Sequence, residues 1–432
     1  MKKILSMAVC SLLTVSMLAG CGVADNRVSA KAEKGQEKQE AVRKIEEKPE
    51  LVANVDASAD FDKALIDFVD KSGFGDENYM VSPTSFRAAL ALAVAGADTE
   101  TKDELIHAMG FNSMDEVNEW YNSVSQLIAD FNADIDADAK EFKEHKDWYP
   151  EDAEAPTGSL IMMNSIWNNT DLHGKFGKDY KKYVEKNYGV EAYDVNSGNI
   201  TDKVNKWVDK GTNGLIPKIS DDLSNVNAAL INTLYLKSSW VNSFSDYATA
   251  PDNFTTSTGE IARKDFMNNQ DSLRYYEDSK GKLVVLPLNG GVNAVFVLGE
   301  IENIHDALSK ASYEDVILKL PKFEIESSFD QNEFIYYLMG RGATTAFSDN
   351  ADFSVMCPDT AWMITDIIQK TRISVDEEGL EAAAATAILM CEAATAIEEY
   401  KPKEFIADQP FKFYICGGED DSEVLFCGQV VK

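Results

Sequence analysis

The sequence predicts an α+β fold with extensive sheet, and three observations carry that prediction. Helical patterns come first, at residues 59–71, 82–96 and 100–109. Short apolar or alternating runs bounded by Gly, Asn and Pro fill most of the chain after residue 157, and such runs read as strands. No period of 20 to 50 residues repeats, which argues against a solenoid. Helices first and a strand-rich body after is the order of an α+β domain rather than of regularly alternating β-α-β units.

Two segments precede that domain. Lys2 and Lys3 lead an apolar run that ends in Leu18-Ala19-Gly20-Cys21. This is the layout of an export signal with small residues before its cleavage point. The run is too short to span a bilayer comfortably. Its ending resembles a bacterial lipobox, which makes 1–20 the expected signal peptide and Cys21 the lipidated residue holding an exported chain to a membrane surface. Residues 21–57 are rich in Lys, Glu and Ala and lack aromatics. Such a segment buries too little apolar surface to order itself, so it is expected to be a disordered tether. The domain is then 58–432.

Within the domain each element has a local reason. Ser82-Pro83 is a cap followed by a first-turn proline, and opens the second helix. A long acidic helix-and-loop region runs to about 157. In it "NADIDADAKEF" begins like a calcium loop with Asp134, Asp136 and Asp138, but Ala139 stands where the turn Gly belongs and His145 where the bidentate Glu belongs. An acidic surface loop is the expectation there. "SLIMMNSIWNN", "AALINTLYLKSSW", "KLVVLPL", "NAVFVLG", "VILKLPKFEIESSF", "WMITDIIQKTRISVDE", "FKFYI" and "EVLFCGQVV" read as strands, with helices at 200–210 and 330–341 between some of them.

Composition narrows the function. The formal net charge is −32, and loss of residues 1–20, which carry Lys2 and Lys3 and no acid, leaves 39 basic against 73 acidic residues, or −34. That balance repels phosphate backbones, so nucleic acid is not an expected partner. The four histidines, His107, His145, His173 and His305, stand singly, with no HExxH, nucleophile elbow or P-loop in view. No catalytic residue, metal site or cofactor is expected. Cys357, Cys391, Cys416 and Cys427 have no CxxC spacing and predict no structural disulfide.

One tract resists this reading. "DEEGLEAAAATAILMCEAATAIEEYKPKEF", residues 376–405, has helix-forming composition, yet no polar face at 3.6 spacing and a Gly in its first turn.

The residues around it resemble the serpins over about 58–432. "VSPTSFRAALALAVAGADTETKDEL" is similar to the family's Ser-Pro helix, and "VNKWVDKGTNGLIPKI" to its Trp-bearing helix and Thr-Asn-Gly turn. "ALINTLYLKSSW", "LKLPKFEIE", "NADFS", "VDEEGLEAAAATA", "ADQPFKFYI" and "VLFCGQVV" follow in the family's order. The resemblance implies three β-sheets, about nine helices and an exposed reactive loop over about 377–404. It implies a monomeric serine protease inhibitor rather than an enzyme. The loop is bait; once cut, its first part inserts as a central strand of the large sheet and traps the covalently attached protease. A non-inhibitory surface binding protein of the same fold is the alternative.

The resemblance also assigns residues. Counting seventeen from Glu377 puts the reactive bond between Ala393 and Ala394, whose small side chains suit elastase-like or subtilisin-like targets. Gly379 is the hinge, and Leu380, Ala382, Ala384 and Thr386 are the alternate positions that turn to the core. The fourteen residues 380–393 would span roughly 46 Å as a strand. Glu377, Lys322 and Trp240 match the residues where the loop enters the sheet; Ser82, Ser85, Asn232 and Gln369 match those that govern its opening. Gln369 replaces the usual His, and Leu380 replaces a small Thr, so its bulk is expected to hinder insertion.

Overall fold

The computed structural model describes residues 45–149, 155–172, 174–214, 216–226, 228–330, 332–359, 361–380 and 401–432. Residues 1–20, Cys21, Ala382, Ala384, Thr386, Cys391, Ala393 and Ala394 lie outside them. In chain order the first half runs α1 (Pro49–Val52), α2 (Phe61–Val69), β1 (Tyr79–Val81), α3 (Pro83–Gly96), α4 (Thr99–Ala108), α5 (Met114–Glu144), β2 (Gly158–Asn169), α6 (Lys178–Tyr188), β3 (Ala192–Val195), α7 (Ser197–Gly211) and β4 (Ala228–Ser239). Then follow β5 (Ala250–Thr255), β6 (Ile261–Glu277), β7 (Gly281–Pro287), β8 (Asn293–Gly299), α8 (Ile304–Lys310), β9 (Ser312–Pro321), β10 (Phe323–Phe329) and α9 (Glu333–Gly340). Last come β11 (Asp366–Val375), β12 (Gly379–Leu380), β13 (Lys403–Ile406), β14 (Phe411–Gly417) and β15 (Glu423–Val430). This is the α+β architecture expected, with nine α-helices among the described residues.

The strands form a six-stranded sheet in the order β10-β11-β12-β4-β2-β3 and a nine-stranded network. In the network β6, seventeen residues long, joins a β5-β6-β9-β13 half to a β6-β7-β8-β14-β15-β1 half. The three expected sheets are thus the six-stranded one and these two halves. The six-stranded sheet is the one expected to receive the loop.

Helix α3 lies between the six-stranded sheet and β15, and every residue in it except Arg87 is buried. A helix apolar on all sides belongs at the centre of a core. Its start is as the sequence predicts: the Ser82 hydroxyl accepts from Ser85 N at 3.1 Å. Proline at the first helical position adds a fixed φ and no orphan donor.

Two expectations are corrected. "NADIDADAKEF" is not a loop but part of the C-terminal half of α5. Phe131, Ile135 and Phe142 are buried along one side of that helix while the aspartates face outward, so helical spacing of the apolar residues outweighs the local charge. The end of the expected tether is also ordered. Ile45, Leu51, Val52 and Val55 pack on the core, and the Tyr336 hydroxyl of α9 donates to Glu46 O at 3.0 Å. A Cβ at Gly340 would stand 2.5 Å from Val55 Cβ, so the close approach of this segment to α9 depends on that glycine. Four apolar residues spaced through the charged run supply the burial that composition alone hid.

Cys357, Cys416 and Cys427 are buried free thiols. Cys416 lies opposite Val424 and Cys427 opposite Tyr414, so the two on adjacent strands do not face each other. Burial pushes the Cys357 thiol up to about 12. Among the described residues no helix is long and apolar enough to cross a membrane.

Candidate functional site

The seam between β4 and β11 collects the residues that the sequence singled out. At one end these strands pair in parallel over four residues, Asp366–Gln369 against Ala229–Asn232. At the other end β12 stands between them. Leu380 lies opposite Ser238 of β4 and Val375 of β11, antiparallel to both. Between these ends, residues 370–374 of β11 and 233–237 of β4 form no ladder with each other among the described residues.

A tight turn places β12. The Asp376 carboxylate accepts from Glu378 N at 3.0 Å and Gly379 N at 3.3 Å, and Asp376 N donates to Gly379 O at 3.1 Å. An Asp that bonds the backbone two residues on is the usual device for reversing a chain in so few residues. Gly379 has φ +154°, and a Cβ there would stand 2.3 Å from Ser238 O. Only glycine admits this approach.

Leu380 is 1 % exposed and belongs to the buried cluster containing Trp240, Phe323, Ile373 and Val375. Its bulk is therefore already accommodated beneath the sheet before any further strand enters. The position expected to hinder entry is thus itself seated, paired with both β4 and β11.

Residues 376–378 are held by three further residues, Lys322, Thr249 and Trp240. Lys322 Nζ donates to Glu377 Oε2 at 2.6 Å, and the Thr249 hydroxyl donates to Oε1 at 2.8 Å. Burial raises the Glu377 carboxyl, but the bonds from Lys322 and Thr249 outweigh it and hold the group below its ordinary value. The same bond raises Lys322. Trp240, 1 % exposed, donates from Nε1 to Asp376 O at 2.9 Å, and its backbone N–H donates to Glu378 O at 2.9 Å. All three residues assigned to this end of the seam are thus together.

Below, a second group closes the sheet. Gln369 Nε2 donates to Asn232 Oδ1 at 2.6 Å and to Ser82 O at 3.0 Å, while Gln369 Oε1 accepts from Ser82 N at 2.8 Å. Ser85 Oγ donates to Asn232 Oδ1 at 3.2 Å, and Ser82 Oγ to Leu425 O at 2.7 Å. Gln369, Asn232, Ser82 and Ser85 are each 0 % exposed. The amide of Gln369 uses both its oxygen and its nitrogen on the backbone of Ser82, the cap of α3, and still reaches β4, so the network closes without a titrating group.

Sequence reasoning missed one member of this row. Asn164 of β2 lies directly opposite Asn232 and is 4 % exposed. A single polar residue in an alternating strand gives no signal; only the sheet register brings it to the row. No group of three His, Cys, Asp or Glu among the described residues is placed to hold a metal ion.

The comparisons agree with this arrangement. The family model described as "Serpin (serine protease inhibitor)" matches residues 56–432. Serpin-Z1B of Triticum aestivum is 28 % identical over 391 residues, covering 82 % of this chain and 90 % of its own. The crystal structure of Serpin48 from Tenebrio molitor is 27 % identical with a TM-score of 0.67, covering 89 % of this chain and 99 % of its own. Thyroxine-binding globulin in complex with thyroxine shares the fold at a TM-score of 0.68 and 22 % identity, over 87 % of this chain and 98 % of its own. With a sheet parted by the first residues of a loop and a family match across the whole body, the chain belongs to the serpins.

Proposed function

We propose that this serpin inhibits serine proteases as a suicide substrate, cut between Ala393 and Ala394. The observation that carries the reading is the seating of Gly379 and Leu380 between β4 and β11. A strand already begun needs only to be extended. Extended six residues on from Leu380 in unbroken antiparallel register, the strand would bring Thr386 opposite Asn232 on one side and Gln369 on the other. Extension therefore separates the Gln369–Asn232 bond and replaces the four parallel pairs with two antiparallel ladders. About a dozen new backbone bonds at ~0.5–1.5 kcal/mol net each favour the inserted state. The uncleaved chain is then held by a kinetic barrier rather than by equilibrium.

The small residues at Ala382, Ala384 and Thr386 suit burial in a sheet, and Ala393 and Ala394 suit elastase-like or subtilisin-like proteases. Lipid on Cys21 would hold the inhibitor at an exported membrane surface. Incubation with an elastase-like protease tests the reading: a covalent complex stable to boiling in detergent is expected, with the loop cut after Ala393 by mass spectrometry. Recovery of cleaved chain alone would overturn it.

A second reading, a non-inhibitory binding protein, draws on a cavity of about 450 Å³ lined by Ile66, Val297, Ile304, Tyr414 and the acid Asp62. Thyroxine-binding globulin shares the fold and holds thyroxine. Cleavage without complex formation would favour this reading.

A further inference from the structure

We infer that Asn164 is a positioning residue for sheet opening, a spare partner for Asn232 that is unused while the seam is closed and engaged once a strand enters it. The inference rests on the loop-insertion reading.

Asn164, Asn232 and Gln369 stand at one level on three successive strands, β2, β4 and β11. All three face the core. Leu160 and Ile166 on β2, and Leu230 and Leu234 on β4, share their parity and are buried in the two core clusters on that side. Trp167 and Ile231, of opposite parity, belong to the cluster under α7.

Gln369 and Asn232 are bonded to each other, whereas Asn164 Nδ2 and Oδ1 are both buried without a partner of hydrogen-bond geometry among the described residues. Burial raises the Tyr121 phenol, and the Asn164 amide beside it offsets part of that rise; the phenol donates its proton to Tyr188 O at 3.2 Å, so it has no donor to give Asn164 Oδ1. A buried amide whose oxygen receives no donor and whose nitrogen has at best a poorly aligned tyrosine hydroxyl is rare and asks for an explanation.

Insertion supplies one. A new strand moves β4 and β11 from one strand spacing apart to two, from about 4.8 Å to about 9.6 Å. Asn232 then loses Gln369 and the long approach of its Nδ2 to Ile368 O at 3.5 Å, leaving a free acceptor valence and a free donor. The β2–β4 ladder, eleven pairs from Gly158 to Asn168, is on the side that does not part. Side chains directly opposite on adjacent strands have Cβ atoms about 4.5–5.5 Å apart, within reach of an amide-to-amide pair. Asn164 offers the donor and the acceptor that Asn232 has lost. The same residue thus penalises the closed sheet and stabilises the open one.

The test is a double-mutant cycle on the full-length chain with Asn164→Leu, Asn232→Ala and both, read as guanidinium midpoints before and after the loop is nicked by a subtilisin-like protease. Before nicking, Asn164→Leu should leave the midpoint unchanged or raise it, and the two effects should add. After nicking, both substitutions should lower the midpoint, and together by less than the sum. A merely structural Asn164 would lower the midpoint in both forms, and additivity after nicking would overturn the inference. The unsubstituted chain gives an independent reading. With nitrogen-15 asparagine, hydrogen exchange of the Asn164 side-chain amide should slow at least tenfold on nicking, and equal exchange in the two forms would overturn the inference. If nicking raises no midpoint at all, insertion itself fails; a raised midpoint with additive effects sinks Asn164 alone.

Discussion

The two ends of the β4–β11 seam are built from opposite materials. At the upper end the strands are held apart by β12, over an apolar cluster of Trp240, Val375 and Leu380, with Glu377 clasped from outside by Lys322 and Thr249. At the lower end they pair directly, over a buried row of amides and hydroxyls. The difference teaches where resistance lies. Apolar contacts are non-directional and tolerate a new neighbour of the right size, so the upper end can take in a residue such as Leu380. Hydrogen-bonded amides demand a particular partner at a particular distance, so the lower end yields only when every bond is exchanged. If the sheet opens as proposed, the front would stand at Asn232 and Gln369.

The largest effect should come from removing the wedge. Gly379→Val places side-chain atoms where Ser238 O already lies 2.3 Å from an ideal Cβ, in a backbone conformation that β-branched residues do not adopt. β12 would be expelled and the seam would lose its starting point. The expected outcome is cleavage at the usual rate with no protease complex, seen on a denaturing gel. An unchanged yield of complex would mean that the seated residues are not where insertion begins.

Next in size is the lower latch. Gln369→Leu removes bonds to Asn232 and to both backbone groups of Ser82 and leaves the Ser82 N–H buried and unpaired. A loss of about 2–4 kcal/mol of native stability follows, with faster spontaneous conversion to an inactive, heat-resistant form. Timed heating followed by assay of remaining inhibition measures it. Stability equal to that of the unsubstituted chain would place the barrier elsewhere.

How much of this seam was legible beforehand differs by residue type. Ser82, Asn232, Trp240, Lys322 and Glu377 were assigned through the resemblance to the serpins, and the structure brings them into two groups. Helices with caps and strands with apolar runs were legible because each carries its signal locally. Where the signal is non-local, it was not. β6 is the longest strand among the described residues, yet "IARKDFMNNQDSLRYYE" has too few apolar residues to read as one; it is a strand because β5, β7 and β9 pair with it. The calcium-like aspartates of α5 drew the eye from Phe131 and Ile135, which fix the helix. The burial of Leu380 was not legible, because it depends on a cluster assembled from β4, β10 and β11. Asn164 became visible only through its register with Asn232.

The smallest effect belongs to the clasp at the upper end, and its pH dependence separates it from the latch. Glu377 is held below its ordinary carboxylate value in the folded chain, so its contribution is fully present above the unfolded value and is lost as pH falls through the folded one. Lys322 is raised, so its share persists below the unfolded lysine value and is lost only as pH rises through the folded one. Lys322 is 39 % exposed, and solvent screening limits the pair to about 0.5–1 kcal/mol. Glu377→Gln should therefore lower the urea midpoint slightly at neutral pH. The gap from the unsubstituted chain should close as the pH drops below the ordinary carboxylate range. The Gln369 cluster has no titrating member, so Gln369→Leu should keep its full deficit over the same interval. A Glu377→Gln deficit that also persisted in acid would assign the effect to packing, and would make the two ends of the seam alike in kind.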